Sequence, residues 1–265
     1  MSALGDGSGR LAGIAEHLRA AYHTKVAVAP PIEEDDALTI DNAYTIQLIQ
    51  VHSWLDDGDT IQGYKVGLTS KAMQNQLGVN QPDFGHLMSS MFHLEHQPID
   101  TSRYLQPKVE PEIAFVLGRE LVGPRVNAAQ AIRAVDFVLP SLELIDSRVA
   151  DWRIGIVDTI SDNASSGGVI LGSNPTRLTD VDLATVGCNL LIDSQLVATG
   201  ASSAVLGSPV NALVWLVNTL GERGISFRPG DVILPGSITA SQPVSAGSVA
   251  RAEFTGLGSV TAVFE

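Results

Sequence analysis

Residues 106–117 read Gln106-Pro107-Lys108-Val109-Glu110-Pro111-Glu112-Ile113-Ala114-Phe115-Val116-Leu117. The second half of this segment is apolar and rich in β-forming residues, which predicts a strand. Glu110 and Glu112 lie two residues apart, so both carboxylates would point to the same face of that strand. Two carboxylates on one face repel each other unless a positive charge lies between them. A hard divalent cation such as Mg²⁺ would meet that need, and a solvated strand edge with two surface acids is the alternative.

The composition indicates a globular protein and argues against two functional classes. With 265 residues, of which 45% are hydrophobic and 17% charged, the chain is long enough for one large domain or for a main domain with a smaller one. Its net charge of −13 argues against general nucleic-acid binding, which needs a basic surface. No run of about 18 apolar residues occurs, so we expect no membrane span.

Two further features predict a cytoplasmic protein. Residues 1–10 lack the basic-then-apolar pattern of a secretion signal. Cys188 is the only cysteine, which excludes an intrachain disulfide and a cysteine-based zinc site.

The N-terminal region predicts two amphipathic helices. Apolar residues recur at helical spacing over residues 9–23, and again from Thr39 or Asp41 to a stop at Gly58. Between them, residues 30–36 are rich in proline and acids, which predicts an extended linker. We therefore expect a helical subdomain over residues 1–58 and a β-rich catalytic domain over residues 59–265.

The rest of the chain predicts many short strands and few helices. Strands are expected over residues 61–68, 106–117, 137–146, 168–172 and 231–234, with hairpins over residues 188–198 and 249–264. A short helix with Met73 and Leu77 is expected after Ser70, and a longer one begins at Pro209. Residues 80–85 are turn formers and predict a loop. This pattern favours a mixed, β-rich body over a regular βαβ repeat.

A third acid strengthens the metal hypothesis. Glu143 lies inside the apolar run Leu142-Glu143-Leu144, and acids are rarely buried unless they are paired. An edge strand with a solvated acid is the alternative. Together with Glu110 and Glu112, however, Glu143 predicts a three-carboxylate oxygen site for Mg²⁺ or Mn²⁺. Three nearby histidines lack the spacing of zinc ligands: His86, His93 and His96.

Other polar residues in apolar surroundings allow two interpretations each. Lys65, flanked by Gly63 and Gly67, either extends its amine to solvent or binds an anion. Asp83 is a normal turn residue or a functional acid. The polar loops 162–168 and 234–237 either hydrogen-bond a carboxylate or cap their turns. Nucleotide-binding glycine motifs and a serine nucleophile elbow are absent, which argues against a nucleotide-dependent enzyme and an ordinary serine hydrolase.

Six motifs occur in a fixed order along the chain, and together they are more specific than any one alone. They are Gly63-Tyr64-Lys65-Val66-Gly67-Leu68-Thr69, Gln81-Pro82-Asp83-Phe84-Gly85, Pro107-Lys108-Val109-Glu110-Pro111-Glu112-Ile113, Leu142-Glu143-Leu144-Ile145-Asp146-Ser147-Arg148, Asp151-Trp152-Arg153-Ile154 and Asp162-Asn163-Ala164-Ser165-Ser166. From about residue 10 to the C-terminus, the chain resembles the 2-keto-4-pentenoate (2-hydroxypenta-2,4-dienoate) hydratases. These lyases belong to the fumarylacetoacetate hydrolase superfamily and work in meta-cleavage degradation of aromatic and steroid rings.

The resemblance implies both a fold and a site. The fold would be α+β, with a mixed, barrel-like sheet, an N-terminal helical part and assembly into a homo-oligomer, and association with another pathway enzyme is left open. A divalent metal, Mg²⁺ or Mn²⁺, would be held by Glu110, Glu112 and Glu143. Lys65 and Asp83 would be catalytic, and burial beside the cation would lower the pKa of Lys65. Substrate-binding positions would fall on Leu68, Asn163, Ser165 and Ser237.

The implied reaction is the hydration of 2-hydroxypenta-2,4-dienoate, or a short alkyl homologue, to a 4-hydroxy-2-oxo acid. The related 4-oxalocrotonate (2-oxo-3-hexenedioate) decarboxylases share the metal ligands and the lysine, and are the main alternative. Asp151-Trp152, Asp158-Thr159 and the motif at residues 81–85 favour the hydratases. A decarboxylase would need a cation for a second carboxylate, for which Arg148 and Arg153 are candidates, although a salt bridge is the simpler role for each. An inactive metal-binding scaffold and an acylpyruvate hydrolase are further alternatives.

Overall fold

The computed structural model describes residues 6–76 and 78–265. Its helices are α1 (Asp6–Thr24), α2 (Pro31–Glu34), α3 (Ile40–Asp56), α4 (Lys71–Gln76), α5 (Ala128–Ala134), α6 (Ile156–Ser161) and α7 (Pro209–Gly221). Its strands are β1 (Ile61–Gly67), β2 (Asp83–Met88), β3 (Phe92–Leu94), β4 (Pro98–Ile99), β5 (Lys108–Leu117), β6 (Leu121–Val122), β7 (Val135–Ile145), β8 (Ser166–Leu171), β9 (Gly187–Ile192), β10 (Gln195–Ala201), β11 (Ser226–Phe227), β12 (Val232–Leu234), β13 (Gln242–Pro243), β14 (Val249–Phe254) and β15 (Gly258–Phe264). Short 3-10 turns include Ala150–Trp152 and Asn163–Ser165.

Two mixed sheets form the body of the protein. The larger sheet has eight strands in the order β2-β1-β12-β5-β7-β8-β3, with β13 also paired to β5. The smaller sheet has five strands in the order β10-β9-β14-β15-β4, and β11 pairs with β6. Most neighbouring strands are antiparallel, whereas the pairs β1–β12, β3–β8 and β4–β15 are parallel. The predicted mixed, β-rich body is therefore confirmed.

The two predicted N-terminal helices are present as α1 and α3. Thr39 caps α3, since its Oγ1 accepts a hydrogen bond from the Asn42 N–H at 3.2 Å. In return the Thr39 N–H donates to Asn42 Oδ1 at 3.1 Å, so the two side chains satisfy two backbone N–H groups at the helix start. The predicted helix after Ser70 is α4. Leu77 of that prediction, and residues 1–5 of the segment inspected for a secretion signal, lie outside the described residues.

The prediction of an extended linker is wrong over Pro31–Glu34, because these residues form the short helix α2. Pro31 suits the first turn of a helix, and Glu33 and Glu34 interact favourably with the positive end of the helix dipole. In addition, the Ile32 N–H donates to the Asp158 carboxylate at 2.9 Å. The two residues joined by this bond are 126 positions apart in the sequence, so local composition alone could not indicate it.

The N-terminal helices pack on the rest of the chain through two apolar clusters. One joins α1 and α3 to the chain near Val149, and contains Leu11, Ile14, Ala15, Leu18, Leu38, Ile46 and Val149. Ala43 and Tyr44 of α3, by contrast, belong to the large core that the strands build. Because α3 contributes to both clusters, the division at residue 58 stays a prediction.

Helix α7 packs inside the core. The segment Ser202–Gly221 is long and apolar enough to cross a membrane by length and composition, with a mean hydropathy of 1.3. Its helical part, however, places five apolar side chains among those of the strands: Ala212, Leu213, Leu216, Val217 and Leu220. An apolar helix with this environment is the ordinary core helix of a globular domain.

Strand β2 is the main error of the sequence-based assignment, because residues 83–85 were expected in a loop. All six residues of β2 are buried, and β2 pairs antiparallel with β1 from Gly67–Asp83 to Ile61–Met88. Gly85 fits there because a Cβ at this position would overlap the carbonyl oxygen of Asn163. Pairing and burial thus outweigh the turn propensity of Asp and Gly.

A buried ion pair joins the end of β7 to the segment before β8. Arg148 is fully buried, and its Nε and backbone N–H both donate to the Asp162 carboxylate. Its remaining nitrogens donate to the backbone carbonyls of Asp162 (2.8 Å) and Ser166 (3.1 Å). The guanidinium also lies 4.3 Å from the ring centroid of Tyr22 on α1. Arg148 therefore links the N-terminal helix to the sheet.

We expect Asp162→Asn to destabilise the fold by about 3 kcal/mol, because it leaves a buried guanidinium without its closest counter-charge. Arg148→Met is expected to cost a similar amount. The double variant Arg148→Met/Asp162→Asn should be less destabilised than the sum of the two, since neither buried charge remains. Urea unfolding monitored by circular dichroism measures all three free energies of unfolding, and strict additivity would contradict this account.

His86 gives the fold a defined pH dependence. Its ring is buried in β2 beside Tyr64, and burial lowers its pKa to about 4. In the unfolded chain the imidazole takes up a proton near pH 6.5. Since the unfolded state binds more protons between those two values, the stabilisation from His86 is complete above pH 6.5 and is lost as the pH falls toward 4.

We therefore expect the difference in unfolding free energy between the wild type and His86→Gln to shrink as the pH falls from 7 to 4. Urea unfolding across this range measures the difference. Leu87→Ala is the matched control, because it removes a buried neighbour in β2 but retains the imidazole. A difference for His86→Gln that stays constant with pH would refute the assignment.

Candidate active site

The three acids predicted as metal ligands meet on one face of the large sheet. Strands β5 and β7 are antiparallel, and their register places Glu110 directly opposite Glu143. Glu112 follows two residues later on the same face of β5. One carboxylate oxygen from each of the three acids lies within 4.8 Å of the others. The sheet register alone thus produces a cluster of three carboxylates.

These carboxylates are electrostatically strained. Burial, with the repulsion from Glu143, raises the pKa of Glu110 to about 7 and the pKa of Glu112 well above its usual range. Burial also raises the pKa of Glu143, although Lys65 opposes it. Glu112 Oε1 and Glu143 Oε2 have no hydrogen-bond partner among the described residues. A compact set of oxygen donors with orphaned atoms fits a hard divalent cation, which would offset the repulsion.

The loop after β12 fixes the orientation of Glu112. The Gly236 N–H donates to Glu112 Oε2 at 2.7 Å, and Ser141 Oγ donates to the Glu112 carbonyl oxygen at 2.9 Å. Gly236 has a φ of 120°, and a Cβ at this position would overlap Thr69 Oγ1. A side chain is therefore excluded at Gly236 by both backbone conformation and space.

Lys65 lies next to the acid cluster. It occupies the middle of β1, and its Nζ lies 3.2 Å from Glu143 Oε1. Burial acts to lower the pKa of Lys65, but the charges of Glu143, Asp83 and the other two acids outweigh it and raise the pKa above its usual value. The protein's own charges therefore do not produce the lowered Lys65 pKa that the sequence predicted. At neutral pH Lys65 is an ammonium ion.

Asp83 lies opposite Gly67, at the start of β2. Its carboxylate occupies the space where a Cβ of residue 67 would be, which explains the glycine. Burial raises the pKa of Asp83 to about 6, while the charge of Lys65 opposes the shift. A buried carboxyl group with this pKa exchanges a proton near neutral pH.

A cavity of about 650 Å³ opens beside the cluster. Glu110, Lys65 and Asp83 line it, and so do three of the four predicted substrate-binding residues: Leu68, Ser165 and Ser237. Glu112 and Glu143 are buried at 0% and 1% exposure and are not among the lining residues. The protein thus offers one wall that carries acids and a cation, and a space large enough for a small organic acid.

The fourth predicted substrate-binding residue, Asn163, is not among the lining residues. Its side-chain amide makes two hydrogen bonds to the backbone of His86, with Oδ1 accepting at 2.8 Å and Nδ2 donating at 2.9 Å. A substrate role for Asn163 stays a prediction, and these contacts favour a structural role that joins β2 to the 3-10 turn Asn163–Ser165.

Neither arginine considered for a second carboxylate lies in the cavity wall. Arg148 is committed to Asp162 in the interior. Arg153 is half exposed and pairs with Glu33 at 2.8 Å. Lys108 and Trp152 also line the cavity, and the motifs that contain them assigned neither a role. Lys108 precedes Glu110 by two residues, so the same period-2 argument could have found it.

We expect Gly236→Ala to weaken divalent-metal binding by about tenfold, since residues that orient a ligand typically contribute 10- to 100-fold in affinity. Isothermal titration with Mg²⁺ measures this effect. Gly230→Ala is the matched control, because Gly230 also has a positive φ (93°) but its Cβ would meet open space. Equal losses in both variants would show that Gly236 acts only through backbone strain.

Comparison with known proteins agrees with this geometry. Residues 64–265 match the fumarylacetoacetate (FAA) hydrolase C-terminal family. The chain is 41% identical over 257 residues to TodF product hydratase of Pseudomonas putida, covering 97% of this chain and 96% of the relative. It is 41% identical over 251 residues to 2-keto-4-pentenoate hydratase of Paraburkholderia xenovorans, covering 95% of this chain and 93% of the relative. The resemblance inferred from the six motifs is therefore confirmed.

A solved structure supports the same conclusion for the fold. The 4-oxalocrotonate decarboxylase from Pseudomonas putida G7, complexed with magnesium and adipate, superposes with a TM-score of 0.94 and 34% identity. The match covers 97% of this chain and 98% of that one. The predicted α+β fold with a curled, barrel-like mixed sheet is confirmed. The chain belongs to the fumarylacetoacetate hydrolase family.

Proposed function

We propose that this protein is a metal-dependent hydro-lyase that adds water to 2-hydroxypenta-2,4-dienoate, or to a short alkyl homologue, and forms a 4-hydroxy-2-oxo acid. The observation that carries the proposal is the three-carboxylate cluster at the edge of a cavity that a buried ammonium and a buried carboxyl group line. The names of relatives at about 40% identity support the choice of reaction. Meta-cleavage degradation of aromatic or steroid rings is the pathway context that we propose.

Glu110, Glu112 and Glu143 would hold the metal, and all three donate oxygen. Mg²⁺ or Mn²⁺ suits such a donor set. The magnesium in the decarboxylase structure, at 34% identity, supports Mg²⁺ in particular. When bound, the cation supplies Lewis-acid polarisation of the C2 oxygen and a template for the C1 carboxylate.

Lys65 would act through its charge. Because its pKa is raised, Lys65 is protonated at neutral pH and suited to donate a hydrogen bond to an oxygen that becomes negative. In the hydration, the C2 hydroxyl proton of the dienol first moves to C5 and gives a conjugated 2-oxo-3-enoate. Water then adds at C4, negative charge develops on the C2 oxygen, and a proton goes to C3 as the C2 ketone is restored. Lys65 therefore favours the enolate-like transition state and is not the base.

Asp83 would move the proton. It is buried, it lines the same cavity as Lys65, and its pKa of about 6 allows it to accept and return a proton near neutral pH. The hydroxyl proton of the dienol and a proton of the attacking water are its two candidate partners. Leu68, Ser165 and Ser237 would orient the substrate from the cavity wall.

The decarboxylase remains the second candidate, because the structural match to 4-oxalocrotonate decarboxylase is close over the whole chain. An acylpyruvate hydrolase is less well supported, since no histidine lines the cavity within the described ranges 6–76 and 78–265. An inactive scaffold is disfavoured by the presence of all three acids with Lys65. We also propose a homo-oligomer in the cytoplasm. The homo-oligomer is proposed from the family resemblance that the motifs carry, and the cytoplasmic location from the single cysteine.

The decisive measurement is product identification by NMR after mixing the purified protein with fresh 2-hydroxypenta-2,4-dienoate and Mg²⁺. We expect 4-hydroxy-2-oxopentanoate, and we expect none with a chelator present. Lys65→Ala should lower kcat by about 10²- to 10⁴-fold, as the loss of a positioned proton or charge donor does. Glu112→Gln should abolish Mg²⁺ binding measured by isothermal titration.

The control variant is Glu120→Gln, which removes an exposed acid outside the cavity and should behave as the wild type. If the dienoate is not turned over but 2-oxo-3-hexenedioate releases CO₂, the protein is a decarboxylase and the hydratase proposal is rejected. If neither substrate is turned over, both reactions are rejected.

A further inference from the structure

Lys108 is a second cation in the cavity wall. It opens β5, two residues before Glu110, so its side chain emerges on the face that carries the acid cluster. The Cα atoms of these two residues are about 7 Å apart along an extended strand, which the four-carbon stem of a lysine can span. Lys108 thus lies within reach of any small molecule that contacts Glu110.

Trp152 holds Lys108 in place. Lys108 Nζ lies 4.1 Å from the centroid of the Trp152 ring, in a cation–π contact. The Trp152 indole N–H donates to the Gln106 carbonyl oxygen at 3.2 Å. Gln106 is itself fixed, since its N–H donates to the Asp146 carboxylate at 2.6 Å. The ring is therefore a positioned platform and not a mobile surface side chain.

The backbone that presents this ring is unusual. Asp151 and Trp152 are consecutive residues without glycine, and both have left-handed φ angles of 56° and 54°. Such conformations are costly for residues with a Cβ and persist where surrounding contacts impose them. Here the imposed result is that the Trp152 ring faces the cavity beneath Lys108.

The Lys108 ammonium forms no close polar contact with another described side chain, although the charge of Glu110 attracts it at longer range. Across the part of the chain that the structure describes, its ammonium makes no ion pair and no hydrogen bond, whereas Lys65 pairs with Glu143. A cation–π contact uses the face of the ring and leaves the N–H donors of the ammonium free. Lys108 is therefore available to an anion inside the cavity.

The charge of the site calls for such a group. Glu110, Glu112, Glu143 and Asp83 carry four negative charges when ionised, against one positive charge on Lys65 and two on a divalent cation. One negative charge is left over, and the chain as a whole carries −13. A carboxylate substrate would enter a negative pocket unless another cation compensates. Lys108 lines the cavity together with Lys65 and supplies this additional positive charge.

We propose that Lys108, positioned by Trp152, binds a carboxylate of the substrate and sets which acids the cavity accepts. This inference rests on the proposed function for the class of substrate. The carboxylate has two possible sources. It is either the C1 carboxylate, which every 2-oxo acid of this class carries, or a second carboxylate at the far end of a dicarboxylate.

The experiment measures binding and not turnover, so it remains readable if the hydratase reaction fails. The Mg²⁺-loaded protein is titrated calorimetrically with a monoacid, 2-oxopentanoate, and with a diacid, 2-oxohexanedioate. The wild type is compared with Lys108→Met and Lys108→Arg. Lys71→Met is the control, because Lys71 is an exposed lysine that does not line the cavity.

We expect Lys108→Met to bind at least one acid about tenfold or more weakly, as the loss of a charge-assisted hydrogen bond does. Lys108→Arg should recover part of the affinity, and Lys71→Met should match the wild type. Weaker binding of both acids assigns Lys108 to the C1 carboxylate. Weaker binding of the diacid alone assigns it to a distal carboxylate and makes the cavity selective for dicarboxylates.

Unchanged affinity of Lys108→Met for both acids would overturn the proposal, and so would a wild type that binds neither. Mg²⁺ affinity should stay within about threefold of the wild type in Lys108→Met, which excludes general damage to the site. Trp152→Phe, which keeps an aromatic face, should retain affinity where Trp152→Leu loses it. Equal losses in those two variants would show that Trp152 does not position Lys108 through its ring.

Discussion

The mutual repulsion of three buried carboxylates is the constraint on which the site depends. Glu110 and Glu143 face each other across an antiparallel pair of strands, and Glu112 adds a third charge on the same face. The register of β5 and β7 fixes this proximity. Burying ionised acids is costly without a compensating charge. The surrounding residues therefore make sense as devices that hold three acids ready for a cation.

Those devices come from distant parts of the chain. Gly236, after β12, orients Glu112, and Lys65, from β1, pairs with Glu143. Strands β1 and β12 are neighbours of the acid-bearing strands in the sheet order β1-β12-β5-β7. The topology therefore brings Lys65 and Gly236 to the carboxylates. The glycines at 67 and 236 are then consequences of close approach, since Asp83 and Thr69 occupy the space of the missing side chains. The site is thus an outcome of sheet order more than of any loop.

Sequence patterns were sufficient where the information is local. The period-2 spacing of Glu110 and Glu112 in an apolar strand predicted their common face, and the caps predicted α3 within a residue. Patterns failed where distant partners decide. Asp83 and Gly85 read as a turn, but pairing with β1 makes them a strand, and Asp158 turns the acidic linker into α2. Likewise the partner of Asn163, the backbone of His86, lies 77 residues away and leaves no trace in the local sequence.

The three cations near the site show how identical charge acquires different roles from its partners. The Arg148 guanidinium is hydrogen-bonded to backbone carbonyls and to the Asp162 carboxylate, so its charge stabilises the fold and does not reach the cavity. Lys65 is shared between structure and site, because its pairing with Glu143 both lowers the repulsion and leaves it at the cavity wall. The Lys108 ammonium lies on the face of the Trp152 ring, which desolvates one side of it, and makes no hydrogen bond to the described residues that would satisfy its donors. A cation held in this way is stabilised enough to stay in place and remains unsatisfied enough to bind. That combination, and not the number of positive charges, is what a cavity for organic acids requires.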